Sequence, residues 1–216
     1  MYKRGEFSRF RFICQPTERR RASNRTTAKM SISASLTVFV IFIVVVSGQN
    51  KAITTPGDCP SVTVQQNFDL QRFSGRWYQY SSYSPVEIGK CDYHEYTDNG
   101  NGTLGFSEFT FLPQRNKDVT VYGLIYPATD AGDGKLLITY FQYGNVPRTY
   151  YVLGTDYDNF AIIWSCRKDG SNARQTSWII TRKRVPSTAE LSSANSVVDQ
   201  SGIPKDYILT DQSECD

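Results

Sequence analysis

Histidine is almost absent from this chain, which has a single one, His94, among 216 residues. A metal site built on several imidazoles is therefore excluded, and a Ser-His-Asp triad would depend on this one residue. Glycine-rich loops of the kind that cradle phosphate are also missing. The carboxylates Glu95, Glu108 and Asp156 are not spaced as a recognisable acid/base pair. These absences argue against an enzyme, and we expect His94 at the surface or at a rim.

Charge is missing from residues 30–50, in which positions 36–46 form a nearly continuous apolar run. Nine basic and two acidic residues precede it within residues 1–29, and the small residues Ser47 and Gly48 follow it. A basic flank, an apolar run and small residues, in this order, predict a secretory signal.

The predicted signal sets the domain bounds. Its apolar run of 11 residues is short for a membrane span, which needs about 20, although an uncleaved signal-anchor remains the alternative. We predict a leader over residues 1–48, with Met30 as a possible true start, and one secreted domain over residues 49–216 without stable membrane insertion. Without the leader, 15 basic and 19 acidic residues remain, a net charge of −4. Nucleic acid is therefore not an expected partner.

A free thiol is not expected, because the predicted domain holds an even number of cysteines: Cys59, Cys91, Cys166 and Cys215. In a secreted chain this number predicts two disulfides, and three pairings are possible. The sequence Asn101-Gly102-Thr103 is an N-glycosylation sequon in a turn rich in Gly and Asn.

The domain alternates between short stretches rich in Tyr, Phe, Val, Ile and Thr and turns rich in Asn, Asp and Gly, which is typical of β-hairpins. Eight such stretches predict an all-β fold, an antiparallel up-and-down barrel of the size that holds one small ligand. Residues 186–200 are the one good helix candidate, and we expect this helix to pack outside the barrel. The predicted strands are 76–82, 92–97, 103–112, 118–126, 135–143, 149–155, 160–167 and 175–183.

Three motifs occur in a fixed order: Phe73-Ser74-Gly75-Arg76-Trp77-Tyr78, Thr155-Asp156-Tyr157, and Trp178-Ile179-Ile180-Thr181-Arg182. Together with the four cysteines they resemble the signatures of the lipocalins, and within that family the insect bilin-binding proteins, apolipoprotein D and Lazarillo. The resemblance covers about residues 59–215.

The resemblance implies which residues are structural. It implies the disulfides Cys59–Cys166 and Cys91–Cys215. It also implies that Trp77 plugs the closed end of the barrel beneath the guanidinium of Arg182. The structural signature it implies consists of Gly75, Trp77, Thr155, Asp156 and Arg182. We expect the Asp156 carboxylate to cap local backbone.

The residues that line the cup are predicted from strand alternation and from the resemblance. If Cys166 points outward, alternation places Ser165 and Arg167 inward. If Trp77 and Arg182 meet inside the floor of the barrel, the parity of Arg182 on the last strand places Arg174 and Thr176 inward. The resemblance implies further inward residues on the other strands: Phe106, Glu108, Val121, Phe141, Tyr143, Arg148 and Tyr150. Thr110, Val119, Thr139, Val152, Ile163 and Trp178 share these faces. The arginines suit a ligand carboxylate at the rim.

The resemblance implies a secreted carrier of a small hydrophobic ligand. A biliverdin-type bilin is the first expected ligand, followed by a retinoid, a fatty acid or a sterol, and no cofactor is required. Roles in lipid handling and in the response to oxidative stress are implied by the apolipoprotein D likeness. The alternative is a salivary-type lipocalin that acts on a partner protein through its mouth loops, of which Tyr80–Gly89 is the longest apolar one. The sequence names no such partner.

Overall fold

The computed structural model describes residues 52–84 and 89–215. The predicted leader over residues 1–48 lies outside the described residues, as does the middle of the Tyr80–Gly89 loop. In the described part of the chain, no helix is long and apolar enough to cross a membrane.

The strands form one antiparallel sheet. They are β1 (Ile53–Pro56), β2 (Gly75–Tyr83), β3 (Lys90–Asp98), β4 (Leu104–Leu112), β5 (Lys117–Pro127), β6 (Lys135–Tyr140), β7 (Arg148–Thr155), β8 (Phe160–Asp169), β9 (Asn172–Thr181) and β10 (Ile208–Leu209). From β2 to β9, each strand pairs with the next one in sequence, and a further pairing between β9 and β2 closes these strands into an eight-stranded barrel. The predicted fold class is thereby confirmed.

Two short strands were not predicted. β1 pairs with the start of β9, and β10 pairs with the end of β2. Strands of four and two residues are too short to show a period of two in the sequence, so alternation gives no signal for them.

The sheet separates two apolar cores because successive side chains of a strand point to opposite faces. The inner core fills one end of the barrel and includes Phe73, Trp77, Leu104, Val152 and Ile180. The outer core lies between the sheet and helix α1 (Thr188–Ser201), and it includes Leu153, Phe160, Ile162, Trp164, Ile179, Ala194 and Val198.

Helix α1 begins and ends at the residues that the local chemistry favours. Ser187 forms a capping box with Glu190, in which each side chain accepts a hydrogen bond from the backbone N–H of the other. Gly202 ends the helix with a φ of 72°. The predicted range of 186–200 therefore differs from the observed one by only two residues at the start and one at the end. The helix approaches β7 where Gly154 has no side chain, since a Cβ there would lie 2.9 Å from Val197.

The closed end of the barrel is formed by Trp77 and the groups around it. The Cζ atom of Arg182 lies 3.8 Å from the centre of the Trp77 ring. Its three guanidinium nitrogens donate to the carbonyl oxygens of Tyr157, Arg76 and Arg72, at 2.9, 3.1 and 3.0 Å. The indole Nε1 of Trp77 donates to the carbonyl of Phe73 at 2.8 Å. This is the arrangement that the family resemblance implies.

Two disulfides tie the ends of the domain to the barrel. They join Cys59 to Cys166 in β8 and Cys91 in β3 to Cys215. This is the pairing that the resemblance implies, and it lies among the three that cysteine counting leaves open.

Candidate functional site

The barrel encloses a cavity of about 600 Å³ at the end opposite Trp77. A volume in this range suits a ligand of a few dozen atoms or fewer. The walls mix aromatic, aliphatic and charged side chains, and they come from every strand of the barrel. The lining side chains include Gln79, Asp92, Glu108, Val121, Tyr140, Arg148, Tyr150, Arg167, Arg174 and Trp178.

The structure brings most of the predicted site residues to this cavity. The residues that line it are Glu108, Val121, Tyr143, Arg148, Tyr150, Ser165, Arg167, Arg174 and Thr176, together with Thr110, Val119 and Trp178. Phe106 lies deeper, where it joins the inner core and lines a second cavity of about 20 Å³. Ile163 also lines that second cavity, whereas Val152 is fully buried in the inner core.

The prediction for β6 was wrong. This strand was expected to continue to residue 143 with Thr139, Phe141 and Tyr143 inward, but it ends at Tyr140 and a 3₁₀ turn covers Phe141–Tyr143. The inward side chains are those of Leu136, Ile138 and Tyr140. A register error of one residue exchanges the two faces of a strand. Phe141 is therefore 51% exposed and away from the cavity lining.

Tyr143 reaches the cavity by another route. The 3₁₀ turn interrupts the alternation of the strand, so the side chain of Tyr143 lies at the mouth of the cavity. It lines the cavity as predicted, although it does not belong to the strand in which it was expected. Its ring centre lies 5.9 Å from that of Tyr140. The hydroxyls of Tyr140 and Tyr150 are hydrogen-bonded to each other across the wall, at 3.2 Å.

Arginines and carboxylates occupy opposite walls of the cup. Arg148, Arg167 and Arg174 lie on β7, β8 and β9, near the strand ends at the open side. Asp92 and Glu108 lie on β3 and β4. Strands four apart in a closed barrel of eight face each other, so a positive mouth on one side faces an acidic wall on the other.

Burial perturbs both acids. Removal from bulk water and, to a smaller extent, the nearby Asp92 raise the pKa of Glu108 to about 7. Burial also raises the pKa of Asp92 to about 6, against an opposing effect of the Thr110 hydroxyl. The amide Nε2 of Gln79 donates to Asp92 Oδ2 at 3.0 Å. These are the two carboxyl groups of the cup that change charge near neutral pH.

His94 is buried, which corrects the expectation of a surface or rim position. Only 7% of the residue is exposed, and burial lowers the pKa of its imidazole to about 4. The cause is register: β2 and β3 pair so that His94 lies opposite Trp77, which already points into the barrel. On its other side His94 lies opposite Glu108.

Sequence reasoning missed Gln79, Asp92 and Tyr140 as cavity residues. Tyr140 was missed through the parity error on β6. Gln79 and Asp92 were missed because no inward faces were predicted for β2 and β3. Both strands are irregular there: β2 shifts register between Gln79 and Ser81, and Asp92 lies within the irregular stretch of β3 between Lys90 and Tyr93. The signal available for Asp92 was its position two residues before His94 on the same strand, because residues two apart point to the same face.

The remaining predicted positions lie away from the cavity. Asp156 Oδ1 accepts hydrogen bonds from the backbone N–H groups of residues 158, 159 and 160, so its carboxylate caps the turn between β7 and β8. Thr155 Oγ1 donates to the Phe160 carbonyl at 2.7 Å. Asn101 lies exposed in the turn between β3 and β4, and its glycosylation remains a prediction. Within residues 52–84 and 89–215, no group of three or more His, Cys, Asp or Glu side chains has the arrangement of a metal site.

The raised pKa of Glu108 makes stability depend on pH with a definite sign. In the unfolded chain this carboxyl titrates near 4.5, whereas in the fold it holds its proton to about pH 7. The protonated carboxyl makes its full contribution to the free energy of unfolding at pH values below the pKa of the unfolded chain. This contribution is lost as the pH rises through the pKa of the folded state, which lowers the free energy of unfolding by about 3 kcal/mol. We therefore expect Glu108→Gln to match wild type near pH 4 and to exceed its free energy of unfolding by about 3 kcal/mol near pH 8.

Urea denaturation of both proteins across this pH range, without added ligand, measures the difference. Because titrations at distant sites are common to both proteins, they cancel in the comparison. A difference that stays constant with pH would show that Glu108 ionises as freely in the fold as in the unfolded chain.

Comparison with known proteins places this barrel in a family. The model of the lipocalin / cytosolic fatty-acid binding protein family matches residues 74–214. Apolipoprotein D of Cavia porcellus is 32% identical over 167 residues, which cover 74% of this chain and 85% of that protein. Bilin-binding protein of Pieris brassicae is 28% identical over 153 residues, which cover 68% and 79%.

A solved structure agrees with these matches. Insecticyanin from the tobacco hornworm Manduca sexta superposes with a TM-score of 0.68 at 26% identity, over 76% of this chain and 90% of that one. The family match spans strands β2 to β9 of the barrel, Trp77 and Arg182 of the closed end, and helix α1. The chain therefore belongs to the lipocalin / cytosolic fatty-acid binding protein family, whose members carry small hydrophobic ligands.

Proposed function

We propose that this protein is a secreted carrier that holds one small, largely apolar molecule in its barrel. The observation that carries the proposal is the cavity of about 600 Å³, which opens on the side away from Trp77. Aromatic side chains such as Tyr140, Tyr150 and Trp178 supply flat apolar surface, while the arginines of the mouth can pair with a carboxylate.

A bilin is the ligand we propose first. It combines a flat conjugated body with two carboxylates, and one of the similar proteins is named bilin-binding protein. A retinoid, a fatty acid or a sterol comes next, in line with the likeness to apolipoprotein D. For the same reason we propose lipid handling and the response to oxidative stress as its setting. The two disulfides fit a secreted protein.

A pair of neighbouring substitutions tests whether the cavity is the binding site. Val121 lines the cavity, whereas Tyr122 is on the outer face of the same strand and is 51% exposed. We expect Val121→Trp to fill part of the cavity and to weaken binding of biliverdin or retinol at least about tenfold. Tyr122→Trp adds the same ring outside and should leave the affinity unchanged. Fluorescence titration measures both, because Trp178 lines the cavity.

The absorbance of protein purified from its native source, without denaturant, identifies a bound pigment. If no apolar ligand is bound and none binds on titration, the carrier proposal fails. In that case the second candidate, action on a partner protein through the mouth, gains support. The observation that favours it is the exposed apolar surface of Phe141, Tyr143 and Val146 beside the mouth.

A further inference from the structure

The wall formed by β3 and β4 carries polar groups that an apolar ligand does not require. Asp92 and Glu108 both line the main cavity, and each is withdrawn from bulk water. Burying a carboxyl without a strong partner costs free energy. Gln79 supplies a hydrogen bond to Asp92. No described side chain supplies an ion pair to Glu108.

His94 gives independent evidence for a missing partner. It lines the second cavity together with Glu108. Its Nε2 atom is buried and has no hydrogen-bond partner among the described residues. Buried polar atoms in folded proteins nearly always have a partner, so an orphan of this kind indicates a ligand or a water molecule. The second cavity, of about 20 Å³, has room for one water or for one small group of a larger ligand.

We propose that this wall binds a hydrogen-bond-donating nitrogen of the ligand, so that the cup selects a bipolar molecule with an N–H group against Glu108 and an anionic group at the arginines of the mouth. The proposal rests on the carrier function and names the chemical class of what is carried. A carboxylate only accepts hydrogen bonds, and the neutral imidazole accepts through its unprotonated nitrogen. An amine or a pyrrole N–H satisfies these acceptors, whereas the hydrocarbon end of a fatty acid or sterol does not.

The groups around Glu108 determine how binding of an N–H group at this wall depends on pH. The titratable and charged groups that face it are Asp92, His94 and Tyr96 on β3, Tyr140 on β6, Arg148 and Tyr150 on β7, Arg167 on β8 and Arg174 on β9. The arginines stay charged, the tyrosines keep their protons because burial raises their pKa, and the imidazole stays neutral above about pH 4. Among the described groups that face Glu108, only Asp92 and Glu108 itself therefore change charge between pH 5 and 8.

Three probes of equal chain length test the proposal by calorimetry on the purified protein. They are dodecylamine, dodecanol and dodecanoate, which differ only in the head group. At about pH 8 we expect wild type to bind dodecylamine at least tenfold more tightly than dodecanol, because hydrogen bonds between two charged groups are stronger than those made by a neutral hydroxyl. Near pH 5 this preference should shrink by about tenfold, since both acids become protonated while the amine, with a pKa of about 10, stays charged.

Two variants separate the acidic wall from the mouth. Glu108→Gln keeps the size of the side chain and should remove most of the preference for dodecylamine and most of its pH dependence, because only Asp92 then still changes charge in this wall. Its affinity for dodecanol should stay within about twofold of wild type. Arg148→Gln, which removes a positive charge from the opposite wall, should weaken binding of dodecanoate without weakening that of dodecylamine. The pH series on wild type alone tests the proposal even if a variant does not fold.

The outcomes are distinguishable. If none of the three probes binds wild type, the carrier function itself fails. If dodecanol binds and dodecylamine binds no better, the carrier function stands and the nitrogen site is overturned. A preference for the amine that is as large in Glu108→Gln as in wild type would contradict the assignment to Glu108.

Discussion

We expect Trp77→Ala to lower the free energy of unfolding by about 4 kcal/mol, as large aromatic-to-alanine changes in a core do. Trp77 is fully buried at the closed end, and its ring packs against Phe73 with the centres 5.1 Å apart. The substitution removes the apolar ring, the hydrogen bond to the Phe73 carbonyl and the surface on which the Arg182 guanidinium lies. The cavity left behind borders the inner core, which holds the ends of several strands together.

Urea denaturation followed by circular dichroism measures this loss. Trp77→Phe keeps a ring but removes the indole N–H, so it should cost about 2 kcal/mol. Val185→Ala is a matched surface control, because Val185 is largely exposed, and it should change stability by less than about 0.5 kcal/mol. A loss below about 1 kcal/mol for Trp77→Ala would mean that the remaining aromatic side chains close the barrel without it.

Removing either disulfide is the second large effect. Replacing both Cys59 and Cys166 by alanine should lower the free energy of unfolding by about 4 to 5 kcal/mol, because the bond closes a loop with a sequence separation of 107. The bond between Cys91 and Cys215 spans 124. Loop entropy depends only on the logarithm of loop length, so the two losses should agree within a few tenths of a kcal/mol.

A difference between the two losses of stability would show that one disulfide also holds native contacts in place. Any extra loss on removing the bond of Cys91 would report native contacts that it holds in place, among them the hydrogen bonds from Gln212 Nε2 to the carbonyls of Gln79 and Asp92, at 3.0 and 2.8 Å. Denaturation of the two double variants without reductant, with mass spectrometry to verify the other bond, makes the comparison. A loss below about 1 kcal/mol in either variant would show that the chain is held at that point by other contacts.

The inward side chains of a strand could be predicted from the sequence only where an independent contact fixed which face of that strand points into the barrel. On β8 and β9 a cysteine and the Trp77–Arg182 contact fixed the parity, and Ser165, Arg167, Arg174 and Thr176 all reach the cavity wall. On β6 no such anchor exists, and a slip of one residue exchanged the faces.

The acidic wall could not be predicted because it is a property of pairing. Asp92, His94 and Glu108 come together only through the register of β3 with β4 and the bulge at the start of β3. A sequence shows each of these residues as an isolated polar side chain on a strand, a pattern that usually means exposure to water. The barrel closure between β9 and β2, by contrast, follows the prediction of an up-and-down barrel from eight strand-like stretches joined by short turns.

The opposition of arginines and carboxylates gives the cup a built-in electric field that runs across its cavity. The field strengthens when Glu108 loses its proton, and the burial of Glu108 weakens the screening by water. Light absorption by a conjugated molecule moves charge along its length, so such a field shifts the colour of the molecule. The protein that holds a pigment would then also tune its hue, with the protonation of one buried carboxyl as the control.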